Sequence, residues 1–189
     1  MNLRAGPRWL LILLAPPFAA GCHVMAGDSI TRLARDHTYQ AANNSSFYID
    51  AEAARGPNNV GVDNNRTTNE VIDLLTPYID VGEWLIVQED GGNETTETYR
   101  AFVDRTVAAL PDDRCLAWMT PYNTAYVERD AAFTAEIRAG IQAQPCYAII
   151  EWAEVVSVNP TAYLADGLHP NPAGAVLFAS LVALVVPQE

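Results

Sequence analysis

Short apolar segments alternate along this chain with segments whose apolar residues recur at helical spacing. The short segments have the length of strands and lie at 23–26, 47–51, 84–88, 115–119 and 146–150. Apolar residues between them are three or four positions apart, as in Tyr99, Phe102 and Val103 or in Phe133 and Ile137. Parallel strands need such helical crossovers, so we expect a three-layer α/β/α sandwich with a five-stranded parallel sheet. Functional residues of such folds gather at the carboxyl ends of the strands.

The first residues form a separate segment. Two arginines precede an apolar run at 9–15, and two prolines follow it. A basic start, a short apolar core and small residues at the end are typical of a secretory signal peptide. We therefore expect export, with a signal peptide at 1–21 and one domain at 22–189, since a chain of this length suits a single core.

The expected mature chain is strongly acidic. Lysine is absent, and removal of the signal leaves 9 Arg against 23 acidic residues, a formal net charge of −14. This charge repels phosphate backbones, so we expect no nucleic-acid partner. It also disfavours strongly anionic substrates, although acidity can serve solubility alone. Without lysine, Ser-Lys dyads and Schiff bases are excluded, and a nucleophile must rely on histidine.

Residues near the two ends of the chain have the chemistry of a hydrolytic triad. Gly27-Asp28-Ser29-Ile30 follows an apolar run and begins a helical pattern, which predicts an exposed Ser29 Oγ in front of a helix N-terminus. Asp166-Gly167-Leu168-His169 stands near the other end. Its spacing lets one turn present both side chains together, with the carboxylate orienting the imidazole. Gly-Asp-Ser alone also occurs in ordinary turns, so the pairing favours catalysis.

Two further segments complete a pattern of four blocks. The strand at 84–88 leads into Gly91-Gly92-Asn93-Glu94, and the stretch 48–56 contains Asp50-Ala51-Glu52-Ala53-Ala54-Arg55-Gly56. In this order the blocks resemble the SGNH (GDSL-type) hydrolase superfamily, which implies a flavodoxin-like fold. The stretch 150–175 is similar to the SGNH domains attached to bacterial acyltransferase-3 membrane proteins, which transfer or remove O-acetyl groups on cell-wall sugars.

The resemblance implies a role for each matched residue. Ser29 would be the nucleophile, His169 the general base and Asp166 its orienting partner. The side-chain amide of Asn93 and the backbone N–H of Ser29 would stabilise the oxyanion.

The second block departs from the family pattern at its glycine. Ala54 takes that position, and Gly56 lies two residues later. The N–H of Ala54 can still donate to an oxyanion if its dihedral angles suit a residue with a Cβ. Gly56 is the competing donor. The third block also differs, because Glu94 stands where the family has Asp.

The implied function is that of an exported serine esterase that hydrolyses a small O-acyl ester, O-acetyl on a carbohydrate or cell-wall glycan, through an acyl-enzyme. One alternative is an O-acetyltransferase with the same triad, and another is a non-catalytic carbohydrate-binding surface protein.

We expect a monomer that takes a small ester or an acylated glycan. No metal or organic cofactor is expected, since the histidines and cysteines lack zinc spacing and the loop at 89–94 lacks calcium spacing.

The three cysteines lead to two more predictions. Cys115 and Cys146 each open a strand, and strands four and five are neighbours in a 2-1-3-4-5 sheet, so we expect a disulfide, with two buried thiols as the alternative. Cys22 ends Ala19-Ala20-Gly21-Cys22, which resembles the lipobox of bacterial lipoproteins. We therefore expect a lipid-anchored surface protein, with a soluble secreted protein as the alternative.

Aromatic and polar residues near the predicted sheet edge are candidates for the pocket wall. Those that follow strands four and five suit stacking on sugar rings, or else core packing: Trp118, Met119, Tyr122, Tyr126 and Trp152. The asparagine-rich stretch 57–69 is expected to be a loop.

Overall fold

The computed structural model describes residues 23–42, 47–63 and 65–185. The expected signal peptide at 1–21 and the expected lipid-bearing Cys22 lie outside these residues. Within the described part, five strands form one parallel sheet in the order β2-β1-β3-β4-β5. The strands are His23–Gly27 (β1), Phe47–Ala51 (β2), Trp84–Gln88 (β3), Cys115–Met119 (β4) and Tyr147–Ile150 (β5).

Helices cover both faces of this sheet. In chain order they are Ser29–Ala41 (α1), Thr68–Leu75 (α2), Thr96–Ala109 (α3), Val127–Ile141 (α4), Trp152–Ser157 (α5), Pro160–Tyr163 (α6) and Pro172–Ala183 (α7). A single 3-10 turn at Thr76–Tyr78 follows α2. None of the helices in the described residues is long and apolar enough to cross a membrane. The expected three-layer sandwich with a parallel sheet is confirmed.

Two cores fill the space between the layers, because successive strand residues point to opposite faces. Met25 and Ile86 belong to the core under α1 and α7, and Val24 and Leu85 belong to the core under α2, α3 and α4. The central strands β1, β3 and β4 are buried on both sides, which explains why they are continuous apolar runs in the sequence, whereas the edge strands β2 and β5 are partly exposed.

The start of α2 differs from the expectation of a loop over 57–69. Thr67 caps this helix in a capping box with Glu70, and the helix begins at Thr68. Val71, Ile72 and Leu75 are then buried against the sheet. A capping box satisfies two N–H groups of the first turn, which is enough to begin a short helix after a polar stretch.

Most aromatic residues expected near the pocket lie in the interior instead. Trp118 and Trp152 are fully buried, and Trp118 packs against Phe102 with ring centroids 5.1 Å apart. Tyr122 is also buried, whereas Tyr126 is 55% exposed. Core packing therefore accounts for the tryptophans, and Tyr126 is the aromatic residue of this group that faces solvent.

The expected disulfide is present between Cys115 and Cys146. Cys115 is the first residue of β4, and Cys146 directly precedes β5. Their Cα atoms are 4.7 Å apart, and the bridge closes a chain segment with a sequence separation of 31 residues. It joins the two strands at the amino edge of the sheet.

Removal of this disulfide should lower stability without altering the site. The double variant Cys115→Ala, Cys146→Ala should lose about 3 kcal/mol of unfolding free energy, because the bridge restricts the unfolded chain. Urea unfolding of the variant and of the oxidised wild type measures this loss. Wild type kept in reducing agent is the matched control and should behave like the variant. Equal unfolding midpoints for oxidised wild type and variant would contradict the prediction.

Candidate active site

Ser29 is the first residue of α1 and lies directly after the carboxyl end of β1. The turn between strand and helix is tight at Gly27. A Cβ at that position would lie 2.2 Å from Thr31 Oγ1 and 3.1 Å from the carbonyl oxygen of Gln88. Only glycine allows this approach, so Gly27 sets the place at which the serine leaves the sheet.

Asp28 caps α1 and also reaches the neighbouring strand. Its carboxylate accepts hydrogen bonds from Ile30 N at 2.8 Å, Asp90 N at 2.9 Å and Gln88 Nε2 at 3.3 Å. The side chain is buried, and desolvation together with the nearby Asp90 charge raises the pKa of Asp28 to about 7. The three N–H donors oppose this rise.

The structure brings together the three residues expected to form the triad. Ser29 Oγ and His169 Nε2 are 3.0 Å apart, and His169 Nδ1 is 2.7 Å from Asp166 Oδ2. The hydrogen bond with the His169 side chain is the main cause that lowers the pKa of Asp166 to about 2. The carboxylate is therefore charged at neutral pH and holds the imidazole with Nε2 directed at the serine.

A tight turn presents Asp166 and His169 on one side. Asp166 Oδ1 accepts hydrogen bonds from the backbone N of Leu168 at 3.0 Å and of His169 at 2.8 Å. Gly167 has a φ of 87°, in the left-handed region that favours glycine. The turn is closed at its base by an antiparallel bridge between Leu164 and Pro170.

The two other histidines lie away from this arrangement. His23 opens β1, where its Nδ1 is 2.5 Å from Glu83 and also accepts a hydrogen bond from Trp84 N. That position is at the amino edge of the sheet. His37 is half-buried in the third turn of α1.

Ala54 and Gly56, the two candidates in the second block, differ in conformation and bonding. Ala54 has a φ of 59°. An alanine therefore adopts the left-handed conformation at the position where the family pattern has glycine. Among the described residues, the Ala54 N–H has no hydrogen-bond acceptor. The Gly56 N–H already donates to the carbonyl of Asn59 at 3.0 Å. Only the Ala54 amide is available to a ligand.

Arg55 anchors this block in the interior. Its guanidinium has no exposed surface and pairs with Asp50 at 2.6 Å and with Glu52 at 3.5 Å. It also donates to the backbone carbonyl of Asp50 at 3.0 Å. These contacts hold the chain on both sides of Ala54.

Asn93 lies in an exposed turn after β3. Its side chain has no hydrogen-bond partner among the residues that the structure describes. The turn depends on Gly91, where a Cβ would lie 2.4 Å from the Phe133 ring. Arg129 at the start of α4 donates to the carbonyls of Gly92 and, at 3.2 Å, of Asp90.

Arg129 holds the turn before Asn93, and no sequence pattern predicts this contact. No local motif marks it, since an arginine in the first turn of a helix is usually solvated. Its contacts arise only because α4 packs next to the β3 loop.

Three carboxylates meet beside Ser29, and each of Asp28, Glu89 and Asp90 offers an oxygen within 4.8 Å of the others. Glu89 is fully buried and accepts a hydrogen bond from the hydroxyl of Thr68. Burial raises the pKa of Glu89 well above its usual range. The Asp28 oxygens are occupied by N–H donors, so this group suits a hydrogen-bonded network better than a metal.

Comparison with solved structures identifies the fold. The C-terminal catalytic domain of peptidoglycan O-acetyltransferase A from Streptococcus pneumoniae matches with a TM-score of 0.68 and 21% identity, over 88% of this chain and 92% of that one. A putative SGNH hydrolase from Slackia heliotrinireducens matches with a TM-score of 0.66 and 16% identity, over 88% and 99%. A family 3 carbohydrate esterase from Clostridium thermocellum matches with a TM-score of 0.57 and 16% identity, over 87% and 94%.

Comparison of the sequence, in contrast to comparison of the structure, finds no relative. No protein-family profile matches the chain, and neither does any curated protein. The resemblance inferred from the four sequence blocks is nevertheless confirmed at the level of architecture, since the solved structures share the sheet and its helices over nearly their whole length. The chain therefore has the fold of the SGNH hydrolase superfamily, with Ser29, His169 and Asp166 hydrogen-bonded in series at its edge.

Proposed function

We propose that this chain is an exported serine esterase that hydrolyses a small O-acyl ester, an O-acetyl group on a carbohydrate. The observation that carries the proposal is the series of hydrogen bonds from Ser29 through His169 to Asp166. A serine next to an imidazole whose other nitrogen is held by a carboxylate is the arrangement that activates a hydroxyl for attack on a carbonyl.

In the proposed reaction, Ser29 Oγ forms a bond to the ester carbonyl carbon while its proton passes to His169 Nε2. The tetrahedral intermediate collapses, the bond to the alcohol oxygen breaks, and the imidazolium gives its proton to the leaving alcohol. Water then attacks the carbonyl carbon of the acyl-enzyme and loses a proton to Nε2. The bond from that carbon to Ser29 Oγ breaks, the imidazolium returns the proton to Oγ, and the carboxylic acid leaves. The charged Asp166 carboxylate stabilises the imidazolium in both halves.

Three donors are proposed for the oxyanion. The Ser29 N–H is at the N-terminus of α1, where no residue of the described chain accepts its hydrogen bond, and the helix dipole favours negative charge. The free N–H of Ala54 is the second donor and is preferred to the engaged N–H of Gly56. The Asn93 side-chain amide is the third.

The proposed substrate class rests on the fold and on charge. The similar solved structures include a carbohydrate esterase and the catalytic domain of a peptidoglycan O-acetyltransferase, so an acyl group on a sugar is the chemistry that they share. A chain with 23 acidic residues and 11 basic ones disfavours an anionic polymer.

Export belongs to the same proposal. The segment 1–21 would be removed as a signal peptide, and Cys22 would carry a lipid. The disulfide between Cys115 and Cys146 supports export, because such bonds persist in oxidising compartments, and it leaves Cys22 as the unpaired cysteine.

An O-acetyltransferase is the second candidate, favoured by the similarity to the O-acetyltransferase catalytic domain. The same acyl-enzyme would form, and a sugar hydroxyl would replace water as the acceptor. Acetate release from acetylated glycans, measured with and without acceptor sugars, separates the two: a transferase forms a new sugar ester, whereas an esterase forms free acetate in both cases.

Covalent labelling tests the proposed nucleophile. Ser29 should react with a fluorophosphonate probe, and Ser29→Ala should abolish labelling and lower kcat by at least about three decades. Ser180→Ala, an exposed serine on α7, is the matched control and should keep both properties. The variants His23→Ala and His37→Ala should also be labelled by the probe. Persistent labelling of folded Ser29→Ala protein would refute the assignment.

Two substitutions at Asn93 test the oxyanion donor. Because the side chain is exposed and has no partner among the described residues, Asn93→Ala should fold normally yet lose about two to three decades of kcat. Asn93→Asp keeps the shape but removes the Nδ2 donor, and it should lose as much. Thermal unfolding checks the fold, and initial rates check the chemistry. A wild-type kcat in Asn93→Asp would show that Asn93 does not donate to the oxyanion.

The left-handed conformation of Ala54 gives a stability prediction. Ala54→Gly should raise the unfolding free energy by about 0.5–1 kcal/mol, since the relief of Cβ strain exceeds the added chain entropy, and kcat should stay the same. Ala53→Gly is the matched control, because Ala53 has no positive φ, and it should lose about 0.5–1 kcal/mol. Urea unfolding measures both. If Ala54→Gly lost as much stability as Ala53→Gly, the left-handed conformation of Ala54 would not be strained.

A further inference from the structure

A groove follows β4 at the same edge of the sheet as Ser29. It has a volume of about 410 Å³ and is formed by the segment 124–129, from the loop after β4 into the first turn of α4. Thr124, Tyr126, Glu128 and Arg129 contribute its polar and aromatic groups.

One end of the groove is joined to the turn that carries Asp166 and His169. The backbone N of Thr124 donates to the carbonyl of Gly167 at 2.9 Å. A Cβ on Gly167 would lie 2.1 Å from Thr124 Oγ1, so the two segments are in direct contact. Thr124, which lines the groove, therefore contacts the turn that carries the proposed general base.

Its other end is joined to the turn that carries Asn93. Arg129 donates to the carbonyl of Gly92, the residue before Asn93, and to that of Asp90. Residues that line the groove therefore contact both the turn that carries His169 and the turn that carries Asn93.

Tyr126 gives the groove an aromatic surface. The side chain is 55% exposed, and the Arg129 guanidinium carbon stands 4.6 Å from its ring centroid. The contact holds the ring without burying it. An exposed, oriented aromatic ring in a concave site offers its π-face to the C–H bonds of a pyranose, while Thr124 Oγ1 and the Glu128 carboxylate can meet sugar hydroxyls.

The charges of the groove favour a neutral ligand. The Arg129 guanidinium is already engaged by the Asp130 carboxylate at 2.8 Å as well as by two carbonyls. Glu128 adds a negative charge at the wall. No cation of the groove is therefore left to attract an anionic group.

We propose that the groove at 124–129 is the subsite for the neutral pyranose ring that carries the ester, with Tyr126 as its stacking platform. This inference rests on the proposed esterase function and adds the residue that recognises the alcohol part of the substrate. It predicts that Tyr126 contributes more to the binding of sugar esters than to the binding of esters without a ring.

The test compares two kinds of ester on the full mature chain. One is ethyl acetate, and the other is whichever O-acetylated oligosaccharide, xylo- or chito-, the wild type deacetylates faster. Tyr126→Ala should raise KM for the oligosaccharide by about three- to tenfold more than it raises KM for ethyl acetate. Tyr126→Trp should restore the oligosaccharide KM. Tyr147→Ala, an exposed tyrosine at the amino end of β5, is the matched control and should change neither.

The outcomes separate this proposal from the esterase proposal. If the wild type hydrolyses ethyl acetate and Tyr126→Ala leaves the oligosaccharide KM unchanged, the subsite is refuted and the esterase stands. The subsite is refuted too if neither oligosaccharide is deacetylated, or if both esters lose activity equally, which would mean that Tyr126 acts only through Arg129. If the wild type hydrolyses no ester and takes up no fluorophosphonate, the esterase proposal itself fails.

Discussion

A single buried carboxylate connects the parts of the site. Asp28 accepts hydrogen bonds from Ile30 N in the helix that begins with Ser29, and from Asp90 N in the loop that leads to Asn93. Burial of a carboxylate is costly, as the rise of its pKa to about 7 indicates, and these donors offset part of the cost. Because the bonds lie in a medium of low polarity, neither segment can shift without leaving a buried polar group unpaired. The spacing between the first and third blocks depends on this residue.

In the second block, which contains Ala54, buried polar contacts likewise keep a strained residue in place. The left-handed conformation costs alanine about 1–2 kcal/mol, and nothing in the Ala54 side chain repays it. The next residue, Arg55, has a fully buried guanidinium paired with Asp50 and Glu52. These pairs anchor the residue that follows Ala54, and breaking a buried pair costs about 3–5 kcal/mol. The cost of breaking the Arg55 ion pairs is larger than the strain at Ala54. The anchored Arg55 therefore favours the strained conformation, in which the Ala54 N–H is free.

The sequence allows the strands to be predicted closely and the site only in part. The bounds of β2, β3 and β4 match the expectation, and β3 and β4 are continuous apolar runs because both of their faces are buried. The short helix α2 was missed, since it has only 8 residues after a polar stretch, and its few apolar residues cannot distinguish a helix from a buried strand. Ser29 and His169 are 140 positions apart, so their contact followed from the resemblance to a family and not from local pattern. The choice between Ala54 and Gly56 needs a dihedral angle, which no sequence pattern gives.

The distribution of positive charge limits what the site can select. Lysine is absent, and seven arginines of the described chain are engaged in ion pairs: Arg32, Arg55, Arg100, Arg105, Arg114, Arg129 and Arg138. A strongly acidic surface whose cations are mostly paired cannot concentrate an anionic polymer by long-range attraction. Selection must then rest on contacts of short range, on shape, stacking and hydrogen bonds. Arg129 pairs with Asp130 and donates to the turn that carries Asn93, the proposed oxyanion donor. Because its charge is paired, Arg129 leaves the adjoining groove suited to a neutral ring.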